Sequence, residues 1–166
     1  MCRLWSTLYH KRREQCVLFL EDVFGATDHP EALRKAGFYV ECFRAHFSRE
    51  GKPLKSVADP QIIKFCAENK YVLFTLDKRM KDMHLETIRL TDVAIVATSS
   101  NRCGLSPWIN AIIKAKRRIE RHVRKTGRPW FAVLSRNGDL RVQTISASPG
   151  SVRIEISVGT PKASQR

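Results

Sequence analysis

The sequence predicts an α/β protein in three layers: a mainly parallel sheet with helices on both faces and a β-hairpin added toward the C-terminus. Three observations carry that prediction. From residue 17 to about 125, short apolar runs alternate with stretches of helical periodicity, the order expected of parallel strands joined by crossover helices. At Pro129 the pattern changes to two β-rich runs around Asn137-Gly138, a pair favoured in type I′ hairpins. A chain of 166 residues with 43% hydrophobic and 28% charged side chains is long enough for one buried core and too short for two ordinary domains.

Taken in order, Val17 to Leu20 is an apolar run ending in charge, as expected of a strand buried on both faces. HPEALRKAG follows as a helix, with Pro30 in a first turn, Glu31 at the positive end of the dipole and Gly37 as the stop. FYVECF is the second strand, and residues 44 to 58, with Gly51 and Pro53, form a polar connection of a length that suggests function or mobility. Asp59-Pro60 opens the helix DPQIIKFCAENK, which carries Ile62, Ile63 and Cys66 on one face. Tyr71 to Leu76 is the third strand, Leu85 to Leu90 a short helix and Val93 to Ala97 the fourth strand, after which Ser106-Pro107 caps a long helix through about Lys125. Beyond Pro149-Gly150, SVRIEISV alternates strictly, as an edge strand does, or an arm pairing with a second subunit in a homodimer. The organisation expected is a basic N-terminal extension over 1–15, one domain over 16–146 including the basic helix and hairpin, and a C-terminal strand or tail over 147–166.

Charge is distributed unevenly. The net charge is +14; residues 1 to 92 hold 16 basic and 13 acidic side chains, whereas residues 93 to 166 hold 14 basic and 3 acidic. Such a balance favours a polyanionic partner, with an acid-containing region suited to a cation and a basic region suited to phosphates. Five cysteines without a C-x-x-C pair indicate neither a disulfide framework nor a zinc ribbon, which fits a reducing cytoplasm. Cys42 and Cys66 lie in apolar runs and read as core residues. Glu21 and Asp22 interrupt the apolar run near the N-terminus, so a secretory signal is not expected, and no apolar stretch is long enough for a membrane span.

Acidic residues recur at element ends. Glu21 and Asp22 close the first strand and Asp77 the third; in an open parallel sheet these carboxyl ends are where ligands gather. Asp59 begins a helix, and its place at that edge depends on the path of the preceding loop. Carboxylates brought together repel unless they bind a divalent cation or share a proton. Mg²⁺ takes one or two carboxylates and fills its octahedron with water and phosphate oxygens, so an acidic notch on a basic protein points to metal-assisted phosphodiester hydrolysis. Each acid also has a local alternative: Asp59 as a helix cap, Asp77 in a turn paired with Lys78 or Arg79, and Glu21-Asp22 as a strand exit.

The segments FLEDVFG, HPEALRKAG, His46-Phe47, Asp59 with its helix, VLFTLDKRM, ATSSN and RRIERHVRKTGRPWFAVL occur in an order and spacing that resemble the PIN-like nucleases, in the branch related to toxin components of toxin–antitoxin pairs. The resemblance runs from about Val17 to Ile145, and TLDKRM is its most specific piece. It implies a PIN-like α/β/α fold and an Mg²⁺- or Mn²⁺-dependent endoribonuclease, with an antitoxin protein as a possible partner. Residue by residue, the catalytic acids fall on Glu21, Asp59 and Asp77. Glu21 stands where the family more often has Asp, which leaves Asp22 as an alternative ligand, and Arg79 stands where many members have a further acid. Glu86, or Ser99 and Asn101 after the fourth strand, would complete the shell.

Lys114 to Arg128 contain 8 basic residues and one acid, Glu120. The apolar stripe Ile109, Ile112, Ile113, Ile119 and Val123 leaves Arg117, Arg118, Arg121, Arg124 and Lys125 outward. With Arg79 these are the expected RNA-binding residues, and Trp108 or Trp130 is placed to stack on a base. Two alternatives remain: an RNA-binding module without catalysis, and a receiver-like phosphoacceptor domain. The second matches the acid pair, Asp77 and Thr98, but lacks the Pro expected after Met80 and a Lys-Pro after a fifth strand. No G-x-x-x-x-G-K-[ST] or G-x-G-x-x-G motif supports a nucleotide-dependent enzyme.

Overall fold

The computed structural model describes residues 15–49, 52–54, 57–100, 104–145 and 152–155. Most of the 1–15 extension and of the 147–166 tail, together with Asn101 and Cys103, lies outside the described residues.

The elements follow the expected alternation. β1 (Val17–Leu20), α1 (Asp28–Lys35) and β2 (Tyr39–Cys42) lead into a one-turn helix α2 (Phe43–His46) and a small hairpin, β3 (Ser48–Arg49) with β4 (Lys52–Pro53). α3 (Asp59–Glu68), β5 (Val72–Thr75), α4 (Met80–Met83), α5 (Leu85–Arg89) and β6 (Ala94–Thr98) follow. The long helix α6 (Leu105–Lys125) then precedes β7 (Trp130–Leu134), β8 (Leu140–Ile145) and β9 (Val152–Glu155).

One sheet runs β2-β1-β5-β6-β7-β8-β9. The first five strands are parallel, and β8 and β9 are added antiparallel, β9 as an edge strand. Period-two alternation sends Leu18, Leu20, Val72, Phe74, Ala94, Val96, Trp130 and Ala132 to one face, under α1 and α6. Phe19, Leu73, Ile95 and Phe131 face the other side, where α3 supplies Ile62, Ile63, Cys66 and Ala67, and the α4–α5 segment supplies Met80 and Ile88. Both faces are therefore covered by helices, and the expected three-layer α/β/α architecture is the one found.

Three details differ from expectation. α6 starts at Leu105 with Gly104 in the cap position, so Ser106-Pro107 lie in its first turn and do not cap it. Asn137-Gly138 does not form a type I′ turn, because Asn137 keeps a negative φ and only Gly138 is positive, at 86°. The Gly138 N–H donates to the Ser135 carbonyl at 3.0 Å and the Ser135 N–H to the Asp139 carbonyl at 2.9 Å, the pattern of a longer loop with a glycine bulge. The 44–58 connection is also structured in its described parts, as α2 and the β3–β4 hairpin, with the Leu54 N–H bonded to the Phe47 carbonyl at 2.9 Å. Among the described residues no helix is long and apolar enough to cross a membrane.

Candidate active site

Strands 1 and 5 are neighbours whose following connections leave toward opposite sides of the sheet, to β2 and to β6. This is the switch point at which an open α/β sheet leaves a crevice beyond its carboxyl edge. A cavity of ≈ 450 Å³ lies there, lined by Glu21, Asp22, Asp59, Asp77, Thr75 and the apolar Val23, Phe43, Leu54, Val57, Ile62 and Met80. All four strand- and helix-end acids named from the sequence meet in it.

Each acid arrives for a distinct reason. Glu21 shares the parity of Phe19, so it points to the α3 face, the side on which Leu73, Thr75 and Asp77 also lie. Asp22 has turned into the 3-10 segment Asp22–Phe24, where its carboxylate takes the Arg44 Nε–H at 2.6 Å. Asp59 needs no unusual loop: a crossover helix runs back against its strands, so its N-terminus lies on the carboxyl edge. It is not a cap either, since Ala58 occupies the cap position and the Asp59 carboxylate lies in hydrogen-bond contact with His84 Nε2 at 3.2 Å.

Thr75 and His84 are the residues that the sequence reading missed. The fully buried Thr75 hydroxyl accepts the Asp77 N–H at 3.0 Å and donates to the Glu21 carboxylate, so one hydroxyl fixes two acids. The available signal was a hydroxyl two residues ahead of a strand-ending Asp. His84, at the end of α4, carried no periodic signal, yet it pairs with Asp59 and its charge also reaches Asp77.

The electrostatics differ between the acids. Burial pushes the Glu21 carboxyl up to about 7, with Asp59 and Asp77 pushing the same way against the opposing Thr75 and Leu76 hydrogen bonds. Asp77 moves below the usual range because the Arg79 side chain bonds it, and the Arg79 N–H also donates to its Oδ1 at 2.9 Å. Its Arg79 partner lies 3.2 Å away, which is the local ion-paired turn foreseen as an alternative. Glu86 does not line the cavity; it is exposed and pairs with Arg89 at 2.7 Å. Ser99 follows β6 outside the cavity lining, its N–H on the Leu134 carbonyl at 2.9 Å.

Among the described residues no three His, Cys, Asp or Glu side chains are grouped closely enough to hold a metal by themselves. Mg²⁺ and Mn²⁺ require no such cage, since hard oxygen donors and waters satisfy them. The cavity lining offers carboxylate and hydroxyl oxygens of that kind, and Glu21, raised chiefly by burial, is pushed further the same way by Asp59 and Asp77. The polar lining side chains are hard oxygen donors, the kind that such a cation takes, and include no thiolate or imidazole.

The basic residues lie elsewhere. Arg117, Arg118, Arg121, Arg124 and Lys125 are exposed on α6, as expected. However, α6 runs away from the carboxyl edge on the opposite face, and Cys16, just before β1, feels the charges of Lys116, Glu120 and Arg124. The last turns of α6 therefore sit near the amino edge of the sheet, whereas its middle packs on the turn that follows β7. Arg118 is held by Asp139 and the Gly138 carbonyl, both at 3.0 Å. Arg128 turns inward, donating to the Lys70 and Tyr71 carbonyls at 2.9 Å each. Trp108 and Trp130 are completely buried in the sheet–α6 core and are unable to stack on a base, contrary to expectation. Cys42 and Cys66 are core residues as read from the sequence.

Comparison of the chain with sequence-family models, curated proteins and solved structures gives no match.

Proposed function

We propose that this chain is a divalent-cation-dependent endoribonuclease of the PIN-like kind, hydrolysing RNA phosphodiester bonds at the carboxyl-edge cavity. The observation that carries this reading is the convergence of Glu21, Asp59 and Asp77, from two strand ends and a helix start, on one cavity with Asp22 beside them. A receiver-like domain has the same strand order but no place for Asp59, whose presence in the cavity favours hydrolysis.

Glu21, Asp59 and Asp77 would hold Mg²⁺ or Mn²⁺. The ion, when bound, polarises the phosphate, acidifies a water and offsets charge on the leaving oxygen. The chain's own groups orient the acids: Thr75 and the Leu76 N–H hold Glu21, His84 holds Asp59, and the Arg79 N–H holds Asp77. Arg79 is an exposed cation at the rim, placed to meet a phosphate. The apolar wall of Phe43, Ile62 and Met80 narrows solvent access on one side.

Cleavage of labelled RNA with Mg²⁺ or Mn²⁺, abolished by EDTA, tests the proposal. Asp77→Asn removes one cation-binding charge at constant size and should slow cleavage by at least ~100-fold, the scale of several kcal/mol of lost charge stabilisation. A folded Asp77→Asn protein that cuts at the parental rate would refute the site. The pairing of Asp22, Asp59 and Asp77 with Arg44, His84 and Arg79 favours a second reading, RNA binding without catalysis. It predicts RNA binding with no cleavage under either metal. A role as the toxin of a toxin–antitoxin pair adds one expectation, capture of the product of an adjacent reading frame.

A further inference from the structure

The outward face of α6 carries Lys114, Arg117, Arg121, Arg124 and Lys125, all exposed and none in an ion pair with another described residue. The two cations on this helix that do have carboxylate partners are Lys116, on Glu120, and Arg118, on Asp139. The free ones recur at three- and four-residue steps and so form one continuous ridge about 17 Å long. Among the described residues no carboxylate pairs with them, and holding five cations side by side costs repulsion that a polyanion relieves.

The chemistry of the ridge distinguishes between polyanions. Protein interfaces gather apolar and aromatic anchors at their centres. The large hydrophobics exposed among the described residues are Val23, Tyr39, Leu54, Met83 and Leu90, and none lies on α6. A ridge of arginine and lysine without an apolar anchor suits a phosphate backbone. Its position matters as well. The cavity lies beyond the carboxyl ends of β1 and β5 on the α3 face, whereas the ridge lies on the other face, running from Lys114, against the Gly138 turn that follows β7, to Arg124 near the amino edge.

We propose that this α6 ridge is an RNA-backbone docking site separate from the cavity, engaging a stretch of the strand remote from the bond at the cavity. The identification of the polyanion as RNA rests on the ribonuclease reading; docking itself needs neither the cavity nor a metal. A short oligonucleotide in the cavity does not reach the ridge, and a long RNA engages both.

The test uses the full chain and its Arg117→Gln/Arg121→Gln/Arg124→Gln variant, with helix content and unfolding midpoint checked for equality. Fluorescence anisotropy of a labelled single-stranded RNA of about 30 nucleotides, in EDTA, is measured across a salt series. The variant should bind more weakly, with the salt slope shallower by about 0.7 for each lost contact, or about 2 in total. With Mn²⁺, kcat/KM on a four-nucleotide substrate should be equal for the two proteins, while that on the long RNA should fall in the variant. Equal RNA affinity at every salt concentration overturns the proposal. So does poly-glutamate binding that equals RNA binding and is equally lost in the variant, which would make the ridge a dock for an acidic protein. Loss of RNA binding in the variant when neither protein cuts any substrate leaves the docking site standing and refutes only the ribonuclease reading.

Discussion

Glu21 makes stability itself report on the cavity. Its carboxyl is raised from the ordinary 4.5 to about 7, so between these values the folded chain keeps a proton that the unfolded chain has released. Linkage then gives the sign: stability from this group is fully present below pH 4.5 and falls as pH rises through 7. The difference corresponds to about 3 kcal/mol. Glu21→Gln keeps the shape and an oxygen to accept from Thr75 and Leu76, but cannot ionise. Urea unfolding of both proteins at pH 4.5 and pH 8 isolates the effect, because every other titrating group is shared. The variant should gain about 3 kcal/mol on the parent between the two conditions. Millimolar Mg²⁺ at pH 8 should then raise the midpoint of the parent and leave that of the variant nearly unmoved. A parent–variant difference that stays flat with pH to within about 0.5 kcal/mol, an effect far below the linkage value, would refute a buried, mutually repelling Glu21.

Two further substitutions examine the scaffold. Thr75→Val keeps the volume but removes the hydroxyl that serves Glu21 and Asp77, so it should cost about 2 kcal/mol and move the Glu21 transition above pH 7; an unchanged transition in the pH–stability profile would contradict the bridging role. Gly138→Ala combines a positive φ of 86° with a Cβ placed 2.7 Å from the Lys114 Cβ, a backbone strain that something must relieve by moving. It should cost about 2 kcal/mol in chemical unfolding, and a loss under about 0.5 kcal/mol would show that the turn relaxes freely.

Much of the architecture was legible because burial on two faces leaves a plain trace. The runs VLFL and VAIVA are apolar at every position, and strands wrapped by helices on both sides have no polar face to show. The β3–β4 hairpin was not legible, since two-residue strands carry no period. The Asn137-Gly138 turn was misread because the dipeptide suits several turns, and the Ser135–Asp139 closure that selects among them depends on packing against α6. The acids could be found as element ends, and helix direction alone would have placed both Asp59 and the basic half of α6. What supports the acids was hidden: Thr75 resembles any β-branched strand residue, and His84 resembles any histidine in a polar turn.

Arg128 gives the two edges of the sheet different mechanical characters. Its guanidinium spans the carbonyls of Lys70 and Tyr71, at the entrance to β5, while its own backbone leads into β7, two strands away. Separating the amino ends of these strands therefore means breaking side-chain bonds as well as ladder bonds. The carboxyl edge is joined by smaller groups: the Thr98 hydroxyl donates to the Leu76 carbonyl at 3.1 Å between β6 and β5, and the Thr75 hydroxyl stands between β5 and Glu21 of the β1 end. Amide exchange should accordingly be slowest at the β5 and β6 entrances and faster around Glu21 and Asp77. A guanidinium fastens the entrances of the strands, whereas single hydroxyls fasten their exits, where the carboxylates stand.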